Sequence, residues 1–152
     1  MSGTQAHQVE LFDRYAATYH AQHNRHYLGG RLAFILSRIG PQPRMRILEV
    51  GSGTGSITAV LERRFPHATV CGIDFSEGMI RHRQFAHGVV ADAEQLPFTD
   101  GSFDWIVASD IIEHVEHQER LVAECARCLK PGGRLLLTTP NPLFVPLLNF
   151  TG

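Results

Sequence analysis

The chain has 152 residues, 43% of them hydrophobic and 19% charged, which is enough for one globular domain with a real core. Its 14 basic and 15 acidic side chains leave a formal net charge of −1, which argues against nucleic acid or an anionic membrane as the main partner. No apolar run reaches the roughly 18 residues of a spanning helix, and "MSGTQAHQVELFDRY" lacks the charged-then-apolar order of a secretory leader. Three cysteines build no disulfide framework, so a cytoplasmic protein is expected.

Residues 5–21 and 29–39 are predicted helices, the second with a broad apolar side made by Leu32, Phe34, Ile35, Leu36 and Ile39. His20, His23 and His26 would align on one face of a helix. No paired cysteines or carboxylates accompany them, so a solvated or pocket-lining helix is the better reading than a metal site. "GPQPR" (40–44) breaks the helical pattern.

"RILEV" (46–50) is then a first strand, followed by a glycine-rich loop and the helical "SITAVLERRF". "TVCGID" (69–74) is a second strand, and "SEGMIRHRQFA" a helix with Ser76 as its cap. "HGVVADA" (87–93) is a third strand and "FDWIVAS" (103–109) a fourth. "HVEHQERLVAECARCLK" is a helix stopped by "PGG" at 131–133, and "RLLLTTP" (134–140) a fifth strand. Cys125 and Cys128 lie late in that helix, where packing rather than thiol chemistry is expected.

Strands and helices thus alternate five times, which predicts an α/β, doubly wound, mainly parallel sheet. Ligands of such sheets sit at the carboxyl ends of the strands, where the loops after residues 50, 74, 92 and 109 gather.

"RILEVGSGTGSIT" places Gly51, Gly53 and Gly55 directly after the first strand. The third glycine falls one place early for the dinucleotide fingerprint, and no Gly-Lys-Ser/Thr follows to make a P-loop. Glu49, just ahead of the loop, opposes a pyrophosphate but suits a cationic ligand. Asp74 ends the second strand, where a carboxylate can accept both hydroxyls of a ribose. Asp92 ends the third, where it can accept from an exocyclic amine while the backbone N–H of Ala93 donates to the ring. Each acid alone is equally a turn or cap residue; three at consecutive strand ends form a pattern. A nicotinamide-dependent oxidoreductase stays open on the glycines and Asp74, and a cofactor-binding module without catalysis is a further alternative.

"ILEVGSGTG", "VCGIDFSEGMI", "GVVADAEQLPFTDGSFDWIVASDIIEHV" and "CLKPGGRLLLTTPN" together resemble, in order and spacing, the class I S-adenosylmethionine-dependent methyltransferases, in particular the ubiquinone/menaquinone-biosynthesis-like small-molecule type. The resemblance implies a Rossmann-like sheet of strand order 3-2-1-4-5, with S-adenosylmethionine as cofactor and a small molecule as methyl acceptor. It implies that Gly51, Gly53 and Gly55 meet the methionine part and that Glu49 stands near its ammonium. Asp74 would hold the ribose, Phe75 and Met79 flank the adenine, and Asp92 and Ala93 read its edge. Ser109 and Asp110 would border the transferred methyl. "FDRYAATYH" is similar to a first helix that lids the cofactor, with Tyr15, Tyr19 and Tyr27 as lid candidates; Tyr15 and Tyr19 could equally pack that helix on the sheet.

An oxygen or nitrogen acceptor also calls for a base, and His114 is the first candidate. Asp110, Glu113 and His114, spaced i, i+3, i+4, would share a helix face and could hold Mg²⁺, an arrangement similar to that of quinone-biosynthesis O-methyltransferases. Glu-His-Val also occurs in relatives without metal, and no metal ligand is assigned. One domain spanning 1–152 is expected, with lid helices at 1–40, the cofactor-binding core at 45–140 and an apolar tail at 141–152. The family's last two strands are expected to be absent, which predicts either association through the fifth-strand edge or apolar tail, as in a homodimer, or disorder of that tail.

Overall fold

The computed structural model describes residues 10–18, 25–40 and 42–139, with the side chains of 25–28 left aside. In chain order it contains helix α1 (10–18), α2 (Arg25–Arg38), β1 (Arg46–Val50), α3 (Thr58–Arg64), β2 (Thr69–Asp74), α4 (Glu77–Arg81), β3 (His87–Val90), β4 (Phe103–Ser109), α5 (Gln118–Cys128) and β5 (Leu129–Thr138). The five strands form one all-parallel sheet in the order β3-β2-β1-β4-β5. The doubly wound fold and its strand order therefore stand as expected. The tail, residues 140–152, lies outside the described residues.

Strands β1 and β4 are central and apolar on both faces, as parallel strands covered by helices must be. Alternation divides their side chains between two cores. Ile47, Trp105 and Val107 face α2 and α3, joining Ile35, Ile39, Leu61 and Phe65. Leu48, Val50, Ile106 and Ala108 face the other way, against Leu121, Cys125 and Cys128 of α5. Those three α5 residues, spaced i, i+4, i+7, make the stripe that docks the helix. Both cysteines are free and buried, so the C-x-x-C packs.

Several boundaries differ from the sequence expectation for physical reasons. The last helix begins at Gln118 rather than near His114, because Glu94 reaches across and accepts the N–H groups of Glu116 and His117 through one carboxylate oxygen. It ends at Cys128, and the strand starts immediately at Leu129, opposite Phe103. "PGG" thus lies within the strand: Gly132 takes a φ of 76°, and the register shifts between Phe103 and Trp105 as at a bulge. Helix α4 closes after Arg81, so that Phe85 can turn back under the glycine loop. Helix α2 begins at Arg25, running through Gly29 and Gly30.

The chain steps from β1 outward to β3, then returns to place β4 on the other side of β1. The crevice between the carboxyl ends of β1 and β4 is therefore the topological switch point. The loop 51–57 and the segment 110–117 flank it.

Candidate functional site

The loop after β1 turns through three left-handed glycines: φ is 75° at Gly51, 53° at Gly53 and 91° at Gly55. This region favours glycine, which has no Cβ to collide with the backbone. Two of the three also face protein. A Cβ on Gly51 would stand 2.9 Å from the Ile111 side chain, and one on Gly55 would enter the ring of Phe85. Close packing therefore accounts for those positions as directly as ligand approach does.

Asp74, at the end of β2, holds the loop. One carboxylate oxygen accepts the N–H of Gly53 at 2.8 Å and the other that of Ser76 at 2.9 Å. Burial pushes its pKa up, while those N–H groups pull it down and the charge of Asp13 pushes it up again. Ser76 caps α4, its hydroxyl accepting from the N–H of Met79 at 3.0 Å. Met79 itself is enclosed by protein, and Phe75 is half-buried.

Glu49 is 2% exposed and accepts a hydrogen bond from the Thr58 hydroxyl. Burial drives its pKa up to about 8, against the pull of Thr58's hydroxyl and N–H and with a push from Asp74. A neutral carboxyl lies ready to ionise if a cation arrives.

Asp92 closes an Asx turn by accepting the N–H of Glu94 at 2.8 Å. Ala93 is buried in the same cluster as Ile112, which joins the loop after β3 to the segment after β4. Ser109 is buried, its hydroxyl 2.9 Å from that of Thr138. Asp110 follows in the left-handed region, at φ 54°, and pairs with Arg31 of α2. Tyr19 lies outside the described residues, as do His20 and His23; the side chains of His26 and Tyr27 are likewise not described. Tyr15 is 50% exposed, and it is Ala16 that α1 buries.

"DIIEH" does not form a helix. Residues 110–117 are turns and bends rather than helix, with the N–H of His114 donating to the carbonyl of Ile111. Asp110, Glu113 and His114 therefore share no helix face; Asp110 is committed to Arg31, and Glu113 and His114 are exposed. No group of three or more His, Cys, Asp or Glu side chains among the described residues could hold a metal ion. The shared helix face on which Asp110, Glu113 and His114 could have held Mg²⁺ is therefore not formed.

Helix α1 lies against this rim. Phe12 meets the His114 ring edge-on, with centroids 6.0 Å apart. Asp13 accepts from the Ser76 hydroxyl and, at 2.9 Å, from the N–H of Gly78. Asp13, Arg31, Thr58, Phe85 and Ile111 were not singled out in the sequence. Only Thr58 carries a local signal, as a hydroxyl in the first turn after the glycine loop; the others act on partners distant in the chain.

Among the described residues, three buried side-chain atoms have no hydrogen-bond partner: Ser52 Oγ, Thr54 Oγ1 and Asp110 Oδ1. All three belong to the loops flanking the switch point. Unsatisfied buried polar atoms are costly, so their gathering in the loops beside the switch point marks a functional region. With the buried acid of Glu49 the donor set suits a ligand that is both cationic and rich in hydroxyl and amine groups.

A family model described as methyltransferase domain matches residues 48–137. The malonyl-[acyl-carrier protein] O-methyltransferase of Methylococcus capsulatus is 40% identical over 119 residues, covering 74% of this chain and 43% of that protein. The ubiquinone/menaquinone biosynthesis C-methyltransferase UbiE of Desulfotalea psychrophila is 34% identical over 115 residues, covering 72% and 47%. Among solved structures, phosphoethanolamine N-methyltransferase 2 of Haemonchus contortus in complex with S-adenosyl-L-methionine superposes with a TM-score of 0.65 at 30% identity, covering 72% of this chain and 28% of that one. The chain thus spans less than half the length of these relatives.

Proposed function

The chain belongs to the methyltransferase domain family, and from that membership we propose that it binds S-adenosylmethionine at the β1–β4 switch point and directs methyl transfer to a small-molecule acceptor. The observation that carries this reading is the fully buried Glu49 beneath a left-handed glycine loop, beside loops that hold buried polar atoms without a partner.

When bound, the sulfonium supplies an activated methyl group, so most of the chemistry belongs to the cofactor. The residues of the chain bind, orient and exclude water. Glu49 takes the ammonium, and the loop through Gly51, Gly53 and Gly55 lies along the methionine part. Asp74, already fixed by two N–H groups, has lone pairs left for the ribose hydroxyls. Phe75 and Met79 border the adenine, with Asp92 and Ala93 at its edge. Ser109 and Asp110 border the transferred methyl. Tyr19 belongs to the proposed lid. Orientation of this kind is worth roughly 7–11 kcal/mol of the barrier.

The acceptor is proposed to be a phenolic or quinone-like oxygen, with His114 as the base that takes its proton. His114 has an exposed side chain on the rim of the crevice, with α1 packed against it through Phe12. A cytoplasmic setting goes with this reading, consistent with three free cysteines; no helix among the described residues is long and apolar enough to cross a membrane. Pairing of two copies along β5, an end strand of the sheet, is part of the same proposal.

Calorimetric titration with S-adenosylhomocysteine tests the proposal, with Asp74→Ala alongside. Micromolar binding lost in the variant supports it. Absence of binding in the parent chain, or equal stabilisation by NAD, would overturn it.

A further inference from the structure

Arg31 and Asp110 are 79 residues apart in sequence and form an ion pair whose side chains are 13% and 23% exposed. The pair joins two parts of the rim. Helix α2 runs antiparallel to the strands: it ends at Arg38, a short loop before β1 begins at Arg46, and Arg31 reaches the carboxyl end of β4. The six residues from 25 to 30 continue the helix roughly 9 Å ahead of Arg31.

Asp110 is where the chain leaves the sheet. Its N–H still donates to the Thr138 carbonyl, continuing the β4–β5 ladder. It then adopts φ 54°, as one of two non-glycine residues with positive φ among those described. That reversal brings Ile111 onto Gly51, so closely that even a methyl group there would collide. The conformation is less favourable for a residue with a Cβ than for glycine, and aspartate is among the residues that adopt it where a side-chain partner holds them. Asp110 Oδ2 is held by Arg31, while Oδ1 is buried without a partner. A carboxylate in that position needs its cation; without it, the side chain gains by swinging out to water.

We propose that Arg31 is a positioning residue for the cofactor site, holding Asp110 in its left-handed turn so that Ile111 stays seated on Gly51 and the glycine loop keeps its binding shape. The inference rests on the proposed cofactor site and deepens it. In this role Arg31 acts through Asp110 and Ile111.

The test is a double-mutant cycle read by S-adenosylhomocysteine affinity, with Arg31→Ala, Arg31→Lys, Asp110→Asn and the double variant Arg31→Ala/Asp110→Asn. Asparagine tolerates the left-handed region and carries no charge that needs a counter-ion. Arg31→Ala is expected to weaken binding at least about tenfold, with partial recovery in Arg31→Lys. In the Asp110→Asn background the same Arg31→Ala change is expected to cost less than about threefold. A role of Arg31 in α2 packing alone would give the same loss in both backgrounds, and that result, or wild-type affinity in Arg31→Ala, overturns the inference while leaving the cofactor site standing. A parent chain that does not bind S-adenosylhomocysteine overturns the cofactor site, and the inference with it.

Discussion

Thr58, in the first turn of α3, donates its hydroxyl hydrogen to Glu49, the fourth residue of β1. The bond crosses beneath the glycine loop and is the principal polar compensation for an acid that burial pushes up to about 8 from an ordinary 4.5. Its sign for stability is fixed. Between those two values the folded chain holds a proton that the unfolded chain has lost, so stability falls as pH rises through the window and levels off above it. Glu49→Gln should flatten that slope and raise the stability of the ligand-free protein near neutral pH, by an amount on the order of a few kcal/mol. Urea titrations at a series of pH values would show it; an unchanged slope would mean that Glu49 is ionised in the fold.

The same acid predicts a proton count. A cation seated beside Glu49 favours its ionised form, so binding of S-adenosylhomocysteine near pH 7 should expel up to about one proton per ligand. Calorimetry in two buffers of different ionisation enthalpy measures this directly. Glu49→Gln should bind more weakly and release none, whereas Thr58→Val should bind with a larger release, because loss of the hydroxyl leaves Glu49 more fully protonated beforehand. Equal release by parent and Glu49→Gln would place the proton elsewhere.

Asp74 accepts from Gly53 with one oxygen and from Ser76 with the other. Asparagine has one acceptor for these two donors, and its amide must face an N–H. Asp74→Asn should therefore destabilise the fold by about 1–3 kcal/mol even though its shape is kept. Ligand affinity should fall at the same time, because the glycine loop loses its tether. A variant with unchanged thermal stability would show that the loop is held by other means.

Glycines with the same backbone handedness should differ in cost according to what faces them. Gly101 has φ 62° and open space around it, so Gly101→Ala should cost only the left-handed strain of about 1–2 kcal/mol. Gly55 adds the buried ring of Phe85, and Gly55→Ala should cost that strain plus a further ~1–3 kcal/mol of overpacking. Equal destabilisation of the two variants would show that Phe85 can move aside freely.

The strands were legible because burial on both faces writes itself into sequence: "RILEV", "TVCGID" and "FDWIVAS" are apolar runs that end at polar residues or glycines. The Ser76 cap was legible too, since its bond to Met79 spans three residues. Illegible features depend on distant partners. The start of α5 is fixed by Glu94, more than 20 residues upstream, and a local reading extended the helix over "DIIEH". Phe85 read as part of a helix, because nothing local says that its ring belongs under Gly55 and Gly72. Asp13 at the head of α4 and Arg31 on Asp110 lie 63 and 79 residues from their partners, beyond any periodic signal. Asp110 is legible as a strand-end acid, but its left-handed backbone is not, since aspartate takes that region in only a minority of positions.

Gly29 and Gly30 lie inside α2, two glycines in succession with helical backbone and open space at both Cβ positions. Each lowers helix stability by about 1 kcal/mol relative to alanine, chiefly through the freedom of the unfolded chain. Neither packing nor handedness requires glycine at these positions. Gly29→Ala and Gly30→Ala should therefore raise stability by about 0.5–1 kcal/mol each. They sit next to Arg31 in the N-terminal half of α2, so they also set how easily that end of the helix unwinds. If its opening admits ligand, the double alanine variant should bind S-adenosylhomocysteine more slowly, by stopped-flow fluorescence, while dissociation slows by a similar factor and affinity changes little. A faster association rate in the stiffened helix would show that the ordered form, and not an opened one, receives the ligand.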